Sequence, residues 1–147
     1  MFGANTTTVF SITPTVTAPA IPTANPTDCA PQISTSVASA ALGATVSPRQ
    51  VLAAPNASRA VVLGDATSVF VYNNTTNAVN AVALSNSGTS TTGGITPDGA
   101  TLYVGTTAGD VQKIDLAAGV VLQSIAAGLK NGGGTGVAPD FVAVRPK

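Results

Sequence analysis

The stretch Ile95-Thr96-Pro97-Asp98-Gly99-Ala100-Thr101-Leu102-Tyr103-Val104-Gly105 decides the fold. Its Pro-Asp-Gly centre is a tight turn: proline pre-sets the second turn position and glycine supplies positive φ. Apolar runs on either side make it the tip of a β-hairpin. Forty-two residues earlier stands Pro55-Asn56-Ala57-Ser58, and the segments downstream of the two copies match. Ala60 to Leu63, a turn and Ser68 to Tyr72 come after the first copy; Leu102 to Gly105, a turn and Val111 to Ile114 come after the second. In this register Val62 aligns with Val104, Val69 with Val111, Tyr72 with Ile114 and Asn73 with Asp115. A further apolar segment closes each copy, Ala78 to Leu84 and Val120 to Ile125. Short strands and turns recurring at about this period indicate units of four antiparallel strands, a to d.

The same unit extends outward in both directions. Pro48-Arg49-Gln50-Val51-Leu52-Ala53-Ala54-Pro55 recurs as Pro139-Asp140-Phe141-Val142-Ala143-Val144-Arg145-Pro146, with both prolines in place. Residues 138–147 are therefore expected to be the first strand of a further unit. Met1-Phe2-Gly3-Ala4 aligns with Tyr103-Val104-Gly105-Thr106, and without a gap Val9 then falls on Val111 and Ile12 on Ile114. The expected organisation is a partial unit over 1–47 and full units over 48–88 and 89–137. In the partial unit, strand c covers Thr8 to Ile12 and strand d roughly Gln32 to Val37, with a Pro/Thr-rich insertion over 13–31 between them. The insertion's five prolines favour an extended, solvated chain, read as a tolerated surface loop or a partner-binding one. Gly, Asn, Thr and Pro interrupt every helical window.

The run from Ile95 to Gly105, with Val111-Gln112-Lys113-Ile114-Asp115 after it, resembles the YVTN-type β-propeller repeats of bacterial secreted and surface proteins. The better copy covers 93–125; the first departs from it, with Asn56 for Asp, Ala57 for Gly and Asn73 for Asp. The resemblance implies an all-β chain of about three blades in an incomplete ring. Relatives of this kind range from lactonase-like enzymes to binding and cell-surface modules, so it implies no particular activity. A ring generally takes four to eight blades, so three leave apolar flanks that further blades or other copies of the chain must cover. Two readings result: a C-terminal piece of a longer propeller, or a protomer that joins copies head to tail into a ring or filament.

Composition narrows the chemistry. The chain has 147 residues, no net charge, 8% charged side chains and no His or Trp, against about 25% charged in an ordinary soluble domain. Every acid is Asp. This excludes from the chain itself the familiar His-based metal, Ser-His-Asp and two-Glu sites. Scattered Lys and Arg give no nucleic-acid footprint, and no apolar run approaches the ~20 residues of a membrane span. The first residues lack the basic and apolar parts of a signal peptide, while the low-charge, Thr-rich composition suggests a secreted, periplasmic or cell-surface setting. Cys29 has no partner thiol in the chain and reads as a small structural residue, with an intermolecular disulfide as the alternative.

No catalytic, cofactor or metal residues are expected. Asp110 and Asp115 lie at opposite ends of one strand with odd spacing, so they face opposite ways and form no dyad. Asp98 and Asp115 read as turn residues bonding local amides. Sequons place candidate glycosylation at Asn5, Asn56, Asn73 and Asn74, while Pro26 disqualifies Asn25. Only Tyr72 and Tyr103 offer rings to stack on a sugar. Any ligand is expected at the rim formed by 38–47, 64–67, 85–92, 106–109 and 128–137. The functional expectation is a non-catalytic structural or interaction module whose partners are copies of itself or further blades, with a glycan or protein ligand left open. The alternatives are a fragment of a lactonase-like hydrolase and a carbohydrate-binding propeller.

Overall fold

The computed structural model describes residues 1–17, 32–86, 88–128 and 137–145. The expectations placed on Cys29, on 18–31 and on rim residues 129–136 lie outside the described residues. A first sheet comprises β1 (Phe2–Ala4), β2 (Thr8–Thr17) and β3 (Gln32–Ala41). The second comprises β4 (Pro48–Ala53), β5 (Arg59–Gly64), β6 (Ser68–Asn73) and β7 (Ala78–Ala83). The third comprises β8 (Ser90–Ile95), β9 (Thr101–Thr106), β10 (Asp110–Asp115) and β11 (Val120–Ala126). All pairings are antiparallel between consecutive strands, so each sheet is a simple meander.

Stacking of the sheets explains the residue choice. The second sheet is buried on both faces, and its central strands are accordingly almost continuous apolar runs. Alternate side chains go opposite ways: Ala60, Val62, Phe70 and Tyr72 meet the first sheet, whereas Val61, Leu63, Val69 and Val71 meet the third. The first sheet replies with Val9, Phe2, Ala4 and Ala40. The third replies with Leu102, Val104 and Ile114. β1, β4 and β8 pack in succession along one side of the stack. There Gly93 of β8 is required: a Cβ would come within 2.9 Å of Leu63 Cδ1 and 3.3 Å of Leu52 Cδ1.

Backbone geometry carries the 42-residue register independently of side chains. Gly99 has φ +72° and its counterpart Ala57 has φ +54°. Gly119 has φ +66° and its counterpart Asn77 has φ +51°. The two sheets thus share left-handed turn positions, filled by glycine in one and by Ala and Asn in the other.

The first sheet departs from expectation in two ways. Strands β2 and β3 continue past Ile12 to Thr17 and past Val37 to Ala41, so strand pairing enters the stretch expected to be inserted loop. The gapless alignment of Phe2 with Val104 is also corrected. Phe2 pairs with Ser11, as Tyr103 pairs with Lys113 and Val61 with Val71. Phe2 therefore occupies the place of Val61 and Tyr103, and Gly3 that of Val62, because the turn between β1 and β2 is one residue shorter. A one-residue shift exchanges the two faces of a strand. It sends Phe2 and Ala4 toward the second sheet and leaves Gly3, Phe10 and Ile12 on the opposite face.

Of the strand expected over 138–147, residues 138–145 are described; they have no strand pairing and lie along the outer side of the third sheet. Thr91 Oγ1 donates to the Pro139 carbonyl at 2.7 Å. Gly105 and Gly94 admit them: added Cβ atoms would stand 3.0 Å from Pro139 Cβ and 3.1 Å from Val144 Cγ2.

The turn at Ala57 supplies a direct test. An L-residue in the left-handed region costs ~1–2 kcal/mol, and glycine returns part of this as unfolded-chain entropy. Ala57→Gly should stabilise the chain by about 0.5 kcal/mol or more, read as a higher urea midpoint at unchanged slope.

Candidate functional site

The densest polar cluster among the described residues sits where β9 turns into β10, on the rim singled out by the sequence. Asp110 opens β10 and is buried. Its Oδ1 accepts from Thr106 Oγ1 and from Asn86 Nδ2, the latter at 2.7 Å. Its Oδ2 accepts from Ser124 Oγ and from Gln112 Nε2, the latter at 3.2 Å. Gln112, fully buried between two sheets, accepts the Ser85 amide at 3.0 Å. Asn86 Oδ1 accepts the Gly88 amide at 3.0 Å. Burial opposes ionisation of Asp110, but the bonds from Ser124, Thr106, Asn86 and Gln112 outweigh it and hold the carboxyl below the usual carboxylate range.

This cluster is spent on structure. Both carboxylate oxygens are occupied by donors from three strands and the preceding loop, and every buried polar side chain among the described residues has a partner. Weighing Asp110 from sequence only against a dyad with Asp115, which its spacing excludes, missed this role. The signal was available: Asp110 stands where Ser68 opens the matching strand, and the Thr106 and Ser124 hydroxyls lie on the two neighbouring strands. Three further acids bond backbone amides. Asp98 Oδ1 accepts from Thr96 Oγ1 at 2.5 Å and from the Ala100 amide at 3.0 Å. Asp115 Oδ1 accepts the Ala117 and Ala118 amides at 2.8 and 2.9 Å. Asp65 Oδ1 accepts the Ser47 amide at 2.7 Å. Among the described residues no three His, Cys, Asp or Glu groups gather as metal ligands, and no helix is long and apolar enough to cross a membrane.

The four sequon asparagines are dispersed, each with its side-chain oxygen engaged. Asn5 Oδ1 accepts the Thr7 and Thr8 amides at 2.9 and 2.8 Å. Asn56 Oδ1 accepts the Ser58 amide at 3.1 Å, and Asn73 Oδ1 the Thr75 amide at 2.9 Å. Asn74 Oδ1 reaches across to the first sheet, accepting from Ser11 Oγ at 2.8 Å. Of the two tyrosines, Tyr72 is fully buried, with its ring edge-on to Phe2 and its hydroxyl donating to Asn77 Oδ1 at 2.9 Å. It cannot stack on a sugar. Tyr103 alone borders open space, a groove of about 380 Å³ shared with Val111 and residues 142–145.

No family model and no curated protein matches the chain. Solved structures do match. A chain of a mitotic checkpoint complex crystal structure superposes with TM-score 0.51 and 21% identity, covering 69% of this chain and 33% of that one. Hydrazine synthase of Kuenenia stuttgartiensis gives TM-score 0.46 at 24% identity, over 52% of this chain and 22% of that one. The WD40 repeats of RRP9 give TM-score 0.48 at 14% identity, over 55% and 26%. The chain thus spans about a fifth to a third of the structures it matches. The likeness, with three stacked meander sheets, shows the fold: an unclosed set of β-propeller blades.

If Asp110 is structural, its removal is read in stability. Asp110→Asn should cost about 1–3 kcal/mol at pH 7. The depressed carboxyl stabilises above its unfolded value of ~3.9 and loses that contribution as pH falls through the folded value. The gap between parent and variant should therefore narrow below about pH 4 in urea titrations.

Proposed function

We propose that the chain is a non-catalytic structural or interaction module of a secreted or surface propeller of the YVTN type, acting through its sheet faces. One observation carries this reading. The second sheet is covered on both faces, whereas each end sheet turns a second, partly apolar face outward. On the first sheet that face holds Phe10, Ile12 and Val37, the last 62% exposed. On the third it holds Tyr103, Val111 and Ile125, the last 40% exposed. Blades bury such faces against further blades, supplied by a longer chain or by other copies. Meanwhile Asp65, Asp98 and Asp115 are engaged with backbone amides and Asp110 with its network. None of these four keeps the free, poised geometry of a general acid or base.

Two measurements test this. A panel of lactone and ester substrates should give no turnover above buffer, and saturable hydrolysis lost in Asp110→Asn would overturn the reading. The end faces should be free in the dilute chain: Ile12→Lys should shift unfolding by no more than about 0.5 kcal/mol, whereas Val62→Lys, in the packed interior, should abolish folding. An Ile12→Lys chain that fails to fold would show that face to be core.

A further inference from the structure

We propose that the outer edge of β3 is a docking site for an extended, uncharged peptide strand of a partner, which adds beside Thr35 and Val37. The inference rests on the interaction-module reading and adds the surface used and the kind of partner it takes.

Strand length singles this edge out. Thr13 stands two residues beyond Ser11, as Asn73 stands beyond Val71 and Asp115 beyond Lys113, so it occupies the place where the other sheets end their outer ladders. Those ladders close on the rungs Asn73–Ala78 and Asp115–Val120. The first sheet instead continues from Pro14–Thr35 to Thr17–Gln32, which adds about 13 Å of ribbon. The turn of the second sheet lies level with the root of this extension. Asn74 Oδ1 accepts from Ser11 Oγ at 2.8 Å, and Asn77 Nδ2 donates to the Ser39 carbonyl at 3.2 Å. Thr13 to Val16 and Ser34 to Ser39 are exposed. The overhang comes from strand lengths inside the chain. A blade of the size of the second or third sheet, packed on either face, stops short of it.

Hydrogen bonds fix which backbone groups the edge offers. The Ile12 amide donates to the Met1 carbonyl at 2.8 Å, and the Thr8 carbonyl accepts the Asn5 amide at 2.9 Å. Thr8 and Ile12 thus turn their backbone groups toward β1 and away from β3. In such an antiparallel rung the opposed residue turns its own groups the other way. Val37, opposite Ile12, therefore directs its N–H and C=O outward, and by alternation so do Thr35 and Ser39. The bond from Asn77 to the Ser39 carbonyl has that direction. Pro14, opposite Thr35, fits the same pattern, because the N–H it lacks would face away from β3. No described residue bonds the outward groups of Thr35 and Val37.

An exposed edge is commonly guarded by charges, prolines or bulges that stop it pairing with other chains. β3 has none of these. It is uncharged and proline-free from Gln32 to Ala41, and its ladder with β2 runs without a shift of register. By contrast the β10–β11 ladder shifts between Lys113 and Ile114, and β7 stops after six residues. The edge chemistry then defines the occupant. Donors and acceptors repeating every second residue along a strand match another extended backbone. The face bearing Val37 also carries Ile12, Pro14 and Val16, the last 65% exposed, whereas the other carries Thr13, Thr15, Ser34 and Ser36. The added strand accordingly takes apolar residues opposite Thr35 and Val37, with hydroxyl residues between them. A second β3 fits less well: opposing Thr35 to Val37, it sets a hydroxyl against the apolar side chain at both rungs.

The probe is a capped, fluorescently labelled peptide with lysine at each end and Thr-Val-Thr-Val-Thr between them. It should bind the chain saturably in fluorescence anisotropy. The same peptide N-methylated at both valines, which removes the donors facing β3, should bind about tenfold more weakly. Thr35→Pro deletes an outward N–H and spares the ladder with β2, as Pro14 does on the opposite strand. Its urea midpoint should stay at the parent value while affinity for the peptide falls about fivefold or more. Should Thr35→Pro lower the midpoint, Val37→Lys, at a side chain 62% exposed, serves in its place. Absence of saturation up to millimolar peptide, or equal binding by the N-methylated peptide or the edge variant, would overturn the edge as a peptide site. Light scattering on the chain alone separates one further case. A dimer that the edge variant abolishes and the peptide does not displace would make a second copy the occupant and overturn the proposal. None of these outcomes decides the interaction-module reading, which rests on the hydrolysis panel and Ile12→Lys.

Discussion

Burial of a sheet on both faces is the constraint on which the rest depends. The second sheet has no polar face, so β5 and β6 can be stable only between two other sheets. Val61 and Val62 are adjacent in sequence and both inaccessible to solvent, yet they belong to different interfaces. Each removes apolar surface from water against a different neighbour, at about 25 cal/mol per Å². The same need recurs at the ends of the stack, where partly apolar faces point outward.

Polar residues are used to keep this stack in register. Asp98, Asp115, Asn73 and Asn5 close turns by accepting backbone amides, the local use that short acceptor side chains suit. Between sheets, Ser90 both donates to and accepts from the backbone of Gly64 while fully buried. Gly64 has no room for more, since a Cβ would come within 2.6 Å of the Ser47 carbonyl. Asp110 does the larger version, tying β9, β10, β11 and the loop before β8 through one carboxylate. Four of the aspartates, Asp65, Asp98, Asp110 and Asp115, thus stand where a bond from a backbone amide or a hydroxyl lowers the cost of dehydration.

Strand identity was legible because turn chemistry is local. Pro97-Asp98-Gly99 and Pro55-Asn56-Ala57 announce the same connection, and the shared left-handed backbone at Gly99 and Ala57 is its physical content. The error at β1 has an equally specific source. Gapless matching carried the long turn of the later copies onto a shorter one, and turn length sets register. Tyr72 shows a second limit: its sequence position does not distinguish a ring bordering solvent from one closed over by Phe2. The Asp110 cluster was hidden because its partners lie 4, 14 and 24 residues away in sequence.

By itself the sequence determined that this chain forms four-stranded antiparallel units at a 42-residue period, and that, without His or Glu, it holds no His-based or two-Glu site. Those properties follow from turn residues, strand alternation and composition, all of which act over a few bonds. The tertiary structure alone decided which face of β1 is inside, which tyrosine is covered, and that Asp110 is a structural clasp. It also decided that residues 139–145 lie along the third sheet. Such outcomes depend on which surfaces meet across sheets, and the energy of a contact between distant segments is not written in either segment separately.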